Sequence, residues 1–313
     1  MEHISCPNCN SEDNSLIYSR TDALMLVDKN QFSIVRCDHC GFYYLNPRPD
    51  IKEMEKYYPK FYYNTDIEKE SLLKKNQKIL KRKYSKVKEY LPCKVLEIGA
   101  QKGEFLYYLK MKNPMAVVSG IDLDDSIPNL YKMDIKYGYA WDFNFAPESF
   151  QIIVMWEVLE HIHELNSLMR LLSDWLSSDG ILILSVPNFR SVNKLLMRTE
   201  DIPRHLYMFT PKTIKQFVSK FNLEVFRIDH VRSIFPNTAK EYLVFLFKKI
   251  ILRKNWDDIV IEYNHPDREK GNFLILLIRI FDRLITVPFQ SILNILGFSS
   301  NMTVFIRKRN EDK

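Results

Sequence analysis

From residue 94 onward the chain alternates short apolar runs with amphipathic stretches. Segments 94–98, 117–121, 135–139, 152–155 and 181–186 read as strands, with helices at 104–111 and 164–176 between them. That rhythm predicts an α/β fold: a doubly wound, mostly parallel sheet with helices on both faces. Thr210-Pro211 opens a further helix, with Thr210 as N-cap and Pro211 in the first helical position, and 223–228 follows as a strand. Upstream, Leu73, Leu80, Tyr84, Val87 and Leu91 recur at helical spacing, so 67–91 is expected to form an amphipathic helix. Its other face carries Lys74, Lys75, Lys78, Lys81, Arg82 and Lys88. A solvated face is the first reading of those cations, and a surface for phosphates or acidic partners the second.

The pattern changes at both ends. The first 45 residues are polar and punctuated by cysteine, a composition that buries little surface unless something else holds it together. Asn46-Pro47-Arg48-Pro49 is an extended connector and marks a boundary near Pro49. The aromatic cluster Tyr57, Tyr58, Phe61, Tyr62 and Tyr63 follows, suited to packing between domains or to a lid that excludes water. Residues 233–297 break the α/β rhythm with two apolar, basic-flanked stretches, 242–252 and 273–298, before a last strand at 302–306. The expected domains are a ribbon at 1–48, a core at 49–232, a helical insertion at 233–299, and a last strand with a basic tail at 300–313.

Composition adds limits. With 313 residues, 46% hydrophobic and 27% charged, the chain has enough apolar content for a folded core and is not a disordered polymer. A net charge of +6 favours anionic partners only mildly. No basic segment followed by an apolar one opens the chain, and Arg279, Asp282 and Arg283 interrupt the most apolar stretch. The expected location is therefore cytoplasmic, with peripheral contact on the inner membrane face through the insertion.

Cys6-Pro7-Asn8-Cys9 and Cys37-Asp38-His39-Cys40 form two knuckles of equal spacing, 27 residues apart. Four thiolates complete the closed tetrahedron of structural zinc, and a redox Cys-x-x-Cys would be expected beside a βαβ unit instead. Cys93, just before an apolar strand, reads as a buried, inert thiol.

The run Val95-Leu96-Glu97-Ile98-Gly99-Ala100-Gln101-Lys102-Gly103-Glu104 is a strand, a glycine-bearing turn and a helix start. Such a turn lets backbone amides approach a ligand. Asp122 ends the next strand, nineteen positions beyond Gly103, where open α/β folds place a carboxylate for ribose hydroxyls. Glu97 directly before the turn suits a cationic ligand end and would repel a pyrophosphate.

Residues 95–103, Asp122 and the segment Phe150-Gln151-Ile152-Ile153-Val154-Met155-Trp156-Glu157-Val158-Leu159-Glu160-His161 together resemble class I S-adenosylmethionine-dependent methyltransferases. The cysteine knuckles, Asn46-Pro47-Arg48-Pro49 and His205-Leu206-Tyr207-Met208-Phe209-Thr210-Pro211 resemble one subgroup, the zinc-ribbon-bearing bacterial enzymes associated with sugar and surface-glycan modification. The resemblance covers residues 1 to about 230 and implies a seven-stranded Rossmann-like methyltransferase fold with S-adenosylmethionine as cofactor. By the same resemblance Glu97, Gly99 and Gly103 hold the methionine end, Asp122 the ribose, Ala140 and Trp141 the adenine, and Met155 and Glu157 lie beside the sulfonium. Two positions depart from the pattern: Gln101 replaces a middle glycine, and Tyr139 stands where an acidic residue often meets the adenine amine.

For a proton to be removed from an acceptor, a histidine titrating near neutrality is the natural base. His161 and His205 lie in loops after the fourth and fifth strands, at sheet ends where ligands bind. Packing or hydrogen bonding is the rival role for both. His3, His39, His163, His230 and His265 have no such context.

The expected function is transfer of a methyl group to oxygen or carbon of a small molecule: a sugar, a nucleotide-linked sugar or a glycan precursor. A prenyl quinone or other lipid is the alternative acceptor, and a non-catalytic zinc-ribbon module with a vestigial cofactor fold is the alternative in kind. The insertion at 233–299 suits an anionic membrane, a lipid-linked acceptor, dimer packing or cover for the sheet. Nucleic acid, reached through 74–88, is the disfavoured partner.

Overall fold

The computed structural model describes residues 1–59, 69–191, 194, 197–230, 242–265 and 273–309. Its first elements are β1 (Asn14–Arg20), β2 (Phe32–Cys37), β3 (Tyr43–Leu45), α1 (Ile51–Met54), α2 (Lys69–Val87), β4 (Lys94–Ile98), α3 (Glu104–Lys112), β5 (Val117–Asp122) and β6 (Ile135–Tyr137). There follow β7 (Phe150–Trp156), α4 (Leu165–Trp175), β8 (Leu176–Pro187), β9 (Tyr207–Met208), α5 (Pro211–Val218), β10 (Leu223–Asp229), α6 (Tyr242–Ile250), α7 (Trp256–Asn264), α8 (Phe273–Ile295) and β11 (Asn301–Lys308). They form two compact units, each discontinuous in sequence: residues 1–59, 187–213 and 236–302 make one, and 60–186, 214–235 and 303–313 the other. The expected segments 1–48, 49–232, 233–299 and 300–313 cut across these units, because ribbon and insertion share the first.

The second unit is built on a seven-stranded sheet of order β10-β11-β8-β7-β4-β5-β6. β4 pairs in parallel with β5 and β7, β5 with β6 and β7 with β8, whereas β10 and β11 run antiparallel. β4 and β7 are apolar and buried almost throughout, as strands covered on both faces must be. Leu80 and Val87 of α2 and Phe105, Tyr108 and Leu109 of α3 pack there with Val95, Ile152, Val154, Trp156, Ile183 and Phe305. From β4 the chain builds outward to β5 and β6, then returns to add β7 and β8 on the other side. The reversal makes β4 and β7 a topological switch point, the place beside which open α/β folds bind ligands.

Local details differ from the sequence reading for physical reasons. β6 stops at Tyr137 because Gly138 has φ of 142°. Helix α7 has too mixed a pattern to stand out, yet Asn255 caps it by accepting from the Asp258 amide at 2.7 Å. On α2, Lys74, Lys75, Lys78 and Lys81 are exposed, as is Lys88 just beyond its end, while Arg82 is half-buried. Lys86 instead turns inward and meets Asp229 at 2.6 Å. Thr210 does cap α5, accepting from the Thr213 amide at 3.1 Å.

The first unit holds the antiparallel sheet β1-β2-β3-β9. Its last strand comes from far along the chain: Tyr43 pairs with Met208 and Tyr44 with Tyr207. The Tyr57 ring meets Phe32 edge-on, and its hydroxyl donates to Asp28 at 2.7 Å, so this aromatic packs within its own unit. Phe61, Tyr62 and Tyr63 lie outside the described residues. Ala23, Met197, Phe245, Ile259 and Val260 form a core joining the ribbon region to α6 and α7. Arg204 is fully buried. Its guanidinium donates to Asp22 at 2.7 Å, to Asp201 at 2.6 Å and to the Tyr57 carbonyl at 2.9 Å.

Removing one member of such a buried network leaves uncompensated charge. Arg204→Met should lower unfolding free energy by about 3–5 kcal/mol, read by denaturant titration.

Candidate functional site

The turn after β4 is folded onto the end of β5 by three backbone donors. The amides of Gly99 and Ala100 reach the Ile121 carbonyl at 2.8 and 3.1 Å, and the Gln101 amide reaches Asp122 Oδ2 at 2.7 Å. Gly99 has φ of 78°, and a Cβ there would fall 2.4 Å from Val158 Cγ2, so only glycine fits. Gly103, with φ of 79°, starts α3 from the same left-handed region. Gln101 adopts φ of 45° and Glu157, at the exit of β7, φ of 58°. Two non-glycine residues in the left-handed region thus flank the switch point.

Glu97 sits on β4 directly below this turn and is 2% exposed. Among the described residues its Oε2 is buried with no hydrogen-bond partner. Burial pushes the carboxyl up to about 8, against the opposing pull of the Lys83 ammonium. Lys83 lies over the rings of Phe105 and Trp156, 5.7 and 5.6 Å from their centres. A buried carboxylate oxygen without a donor is costly, and a cationic ligand end supplies what it lacks. Asp122 is also buried, and burial raises its carboxyl against the amides of Gln101 and Asp124, which donate to Oδ2 and Oδ1 at 2.7 and 3.1 Å. Each oxygen keeps a second lone pair for a hydroxyl donor.

The other expected cofactor residues occupy neighbouring strand ends. Met155 is buried on β7, level with Ile98 of β4. Glu157 is fixed twice by β8: its amide donates to the Ser185 carbonyl at 2.9 Å, and its Oε1 accepts from the Ser185 hydroxyl at 2.6 Å. Ala140 is buried in a short 3-10 turn after β6, and Trp141 beside it is exposed. Tyr139 stacks on Trp141 with ring centres 4.6 Å apart and planes within 8°. Tyr139, noted in the sequence as a departure from the family pattern, is thus one half of an aromatic pair. Sequence reasoning missed Lys83, Val158 and Ser185, whose parts are set by contacts between distant strands and helices.

His161 ends a short 3-10 turn in the sheet unit, its Nε2 4.0 Å from Glu160. His205 belongs to the ribbon unit and is 9% exposed. Its Nδ1 lies 3.0 Å from Glu200 Oε2, which also meets Lys194 Nζ at 3.4 Å. Burial alone would raise the Glu200 carboxyl; Lys194 and His205 hold it below its ordinary value. A carboxylate so placed fixes the tautomer and orientation of its histidine.

In the ribbon the Sγ atoms of Cys6 and Cys40, and of Cys9 and Cys37, are 3.5 Å apart, and all four lie within 4.8 Å of one another. Thiolates about 2.3 Å from a tetrahedral ion stand about 3.8 Å apart, so the cluster has the dimensions of a four-thiolate metal site. Cys93 is half-buried, and burial pushes its thiol up to about 11.

A family model described as a methyltransferase domain matches residues 63–228, more than half of the chain. No curated protein matches the sequence. Among solved structures, an S-adenosylmethionine-dependent methyltransferase from Archaeoglobus fulgidus is similar at 16% identity and a TM-score of 0.47, over 76% of this chain and 99% of that one. Coclaurine N-methyltransferase, solved with N-methylheliamine and SAH, is similar at 15% identity and a TM-score of 0.44, over 78% of this chain and 74% of that one. By the family match, the chain belongs to the methyltransferase-domain family and is an S-adenosylmethionine-dependent enzyme.

Proposed function

We propose that this enzyme methylates oxygen or carbon of a sugar, a nucleotide-linked sugar or a surface-glycan precursor. The observation that carries the cofactor site is the buried Oε2 of Glu97, without a partner among the described residues, beneath a left-handed turn at the sheet's switch point. Glu97 would hold the cationic amino end of the cofactor, with the backbone of Gly99 and Gly103 alongside. Asp122 would take the ribose hydroxyls, Ala140 and Trp141 the adenine, and Met155 and Glu157 the neighbourhood of the sulfonium. When bound, the cofactor supplies an electrophilic methyl group for in-line displacement, so the protein's main contribution is alignment. His205 is the proposed base: with Nδ1 oriented by Glu200, Nε2 receives the proton of the acceptor hydroxyl. His161 is the second candidate. The sugar acceptor is supported by the subgroup resemblance of the knuckles and of residues 205–211. One observation favours a prenyl quinone or other lipid instead, the exposed apolar side chains of α8. Zinc in the ribbon is assigned a structural role, because four protein thiolates leave no open position.

Four substitutions test this reading. Glu97→Gln removes a charge-assisted contact of about 1.5–3 kcal/mol, so calorimetry should show S-adenosylmethionine affinity reduced roughly 10- to 150-fold; Asp122→Asn should also weaken it. Unchanged affinity in both variants overturns the site. The same Glu97 substitution has a stability signature. The folded carboxyl is raised to about 8, so the stability that goes with its protonation is full at acid pH and is lost as pH rises through about 8. Ligand-free Glu97→Gln should lack that loss and unfold at higher denaturant than wild type in alkaline buffer.

His205→Asn should lower kcat about 10²- to 10⁴-fold with cofactor affinity unchanged; a wild-type rate discards the base. For the metal, the purified chain should carry one zinc by elemental analysis, and Cys9→Ser should lose it together with the ribbon's resistance to proteolysis. Metal-free protein purified under reducing conditions would rule zinc out.

A further inference from the structure

Helix α2 carries a lysine where its pattern calls for an apolar side chain. Leu80 and Val87 lie on the buried stripe of the helix, and Lys83, three positions after one and four before the other, falls on the same stripe. The sheet face packed against that stripe holds Val95 of β4 and Val154 and Trp156 of β7. Glu97, two residues beyond Val95 on β4, points to the same face. Lys83 Nζ lies over Phe105 near the start of α3 and over Trp156 at the end of β7, 5.7 and 5.6 Å from the ring centres. The two rings meet edge-on, their centres 5.4 Å apart. The ammonium is thus held beside the turn that leads from Glu97 into α3.

Among the described residues Lys83 has no hydrogen bond and no carboxylate within ion-pair distance, and Glu97 attracts it from beyond contact. Aromatic faces offset only part of the hydration a buried ammonium loses. Glu97 Oε2 is buried without a donor on the same face. Two opposite charges that stand close and do not close on each other leave one demand for an anion and one for a cation. A simple amine would meet only the second. An α-amino acid, with both charges on one carbon, meets both.

We infer that Lys83 is a cofactor-binding residue whose ammonium donates to the α-carboxylate of S-adenosylmethionine, so that the site selects an intact amino-acid end. The inference rests on the assignment of Glu97 to the α-ammonium made above and extends the site from one charge to an opposed pair. A lysine that only kept Glu97 ionised would aid every cationic ligand alike, with or without a carboxylate.

Calorimetry on the full chain with three ligands separates these roles: S-adenosylmethionine, its decarboxylated form, which keeps the ammonium and the sulfonium, and methylthioadenosine, which lacks the amino-acid end. Wild type should bind the decarboxylated form at least about tenfold more weakly than S-adenosylmethionine. Lys83→Met should lose about tenfold or more for S-adenosylmethionine and about twofold or less for the other two ligands. Equal affinity of wild type for the two cationic ligands overturns the inference. So does undiminished S-adenosylmethionine affinity in Lys83→Met, or a parallel loss for both cationic ligands. Methylthioadenosine binding reports that the variant is folded; should it fail, Lys83→Gln takes its place, and equal wild-type affinities overturn the inference whatever either variant does. Glu97→Gln should instead weaken both cationic ligands. A selective loss in Lys83→Met without any loss in Glu97→Gln would strike the Glu97 assignment and keep Lys83, and the reverse pattern would strike Lys83 alone.

Discussion

The sheet unit depends on a small set of backbone hydrogen bonds that bend the chain after β4 onto the end of β5. The amides of Gly99, Ala100 and Gln101 reach Ile121 and Asp122, and the Gly103 amide closes the turn onto the Ala100 carbonyl at 2.9 Å. Their effect is electrostatic as well as geometric. They bring Asp122 to the end of β5 with an acceptor site on each oxygen already used, and Glu97 lies underneath with an oxygen that no donor among the described residues reaches.

This arrangement works against stability. A carboxylate buried at a strand end, left-handed Gln101 and left-handed Glu157 each cost on the order of a kilocalorie per mole or more. The cost is offset within the same unit by apolar packing of α2 and α3 on β4 and β7. Gln101 shows the balance most clearly. Glycine would adopt its φ of 45° without penalty, yet the only contact the turn requires from this position is its amide, which glutamine supplies equally well.

Much of this was legible in the sequence because it is local. A strand buried on both faces needs an unbroken apolar run, and a strand-turn-helix with glycines at 99 and 103 announces its own geometry. Cys6, Cys9, Cys37 and Cys40 were readable for the same reason, since two residues between thiols set each knuckle. What stayed hidden was pairing across long separations. Nothing near residue 207 indicates a strand, and Tyr207–Met208 becomes one only because β3 offers an open edge. Lys86 carries no mark distinguishing it from the exposed lysines of the same helix until Asp229 is seen opposite. The compact units were hidden likewise, since Ala23, Met197 and Phe245 share a core across more than two hundred residues of chain.

That long-range pairing changes what the ribbon does for the enzyme. The segment from 188 to 206, which carries Glu200 and His205, is tied at both ends within one unit. At its start Asn188 donates to the carbonyls of Gly297 and Ser299 at 3.1 and 2.9 Å. At its end β9 joins β3, the Tyr207 hydroxyl accepts from Arg48 at 2.7 Å, and Phe42 meets both Tyr207 and Phe209 edge-on. Between them the guanidinium of Arg20 donates to the Arg198 carbonyl, and Arg204 locks onto Asp22. β3 and Phe42 immediately follow the second cysteine knuckle, so the order of that knuckle sets the edge on which β9 lies. The four thiolates are therefore mechanically upstream of His205. The cysteine cluster is thus linked to the histidine's position through a sheet edge and two arginines.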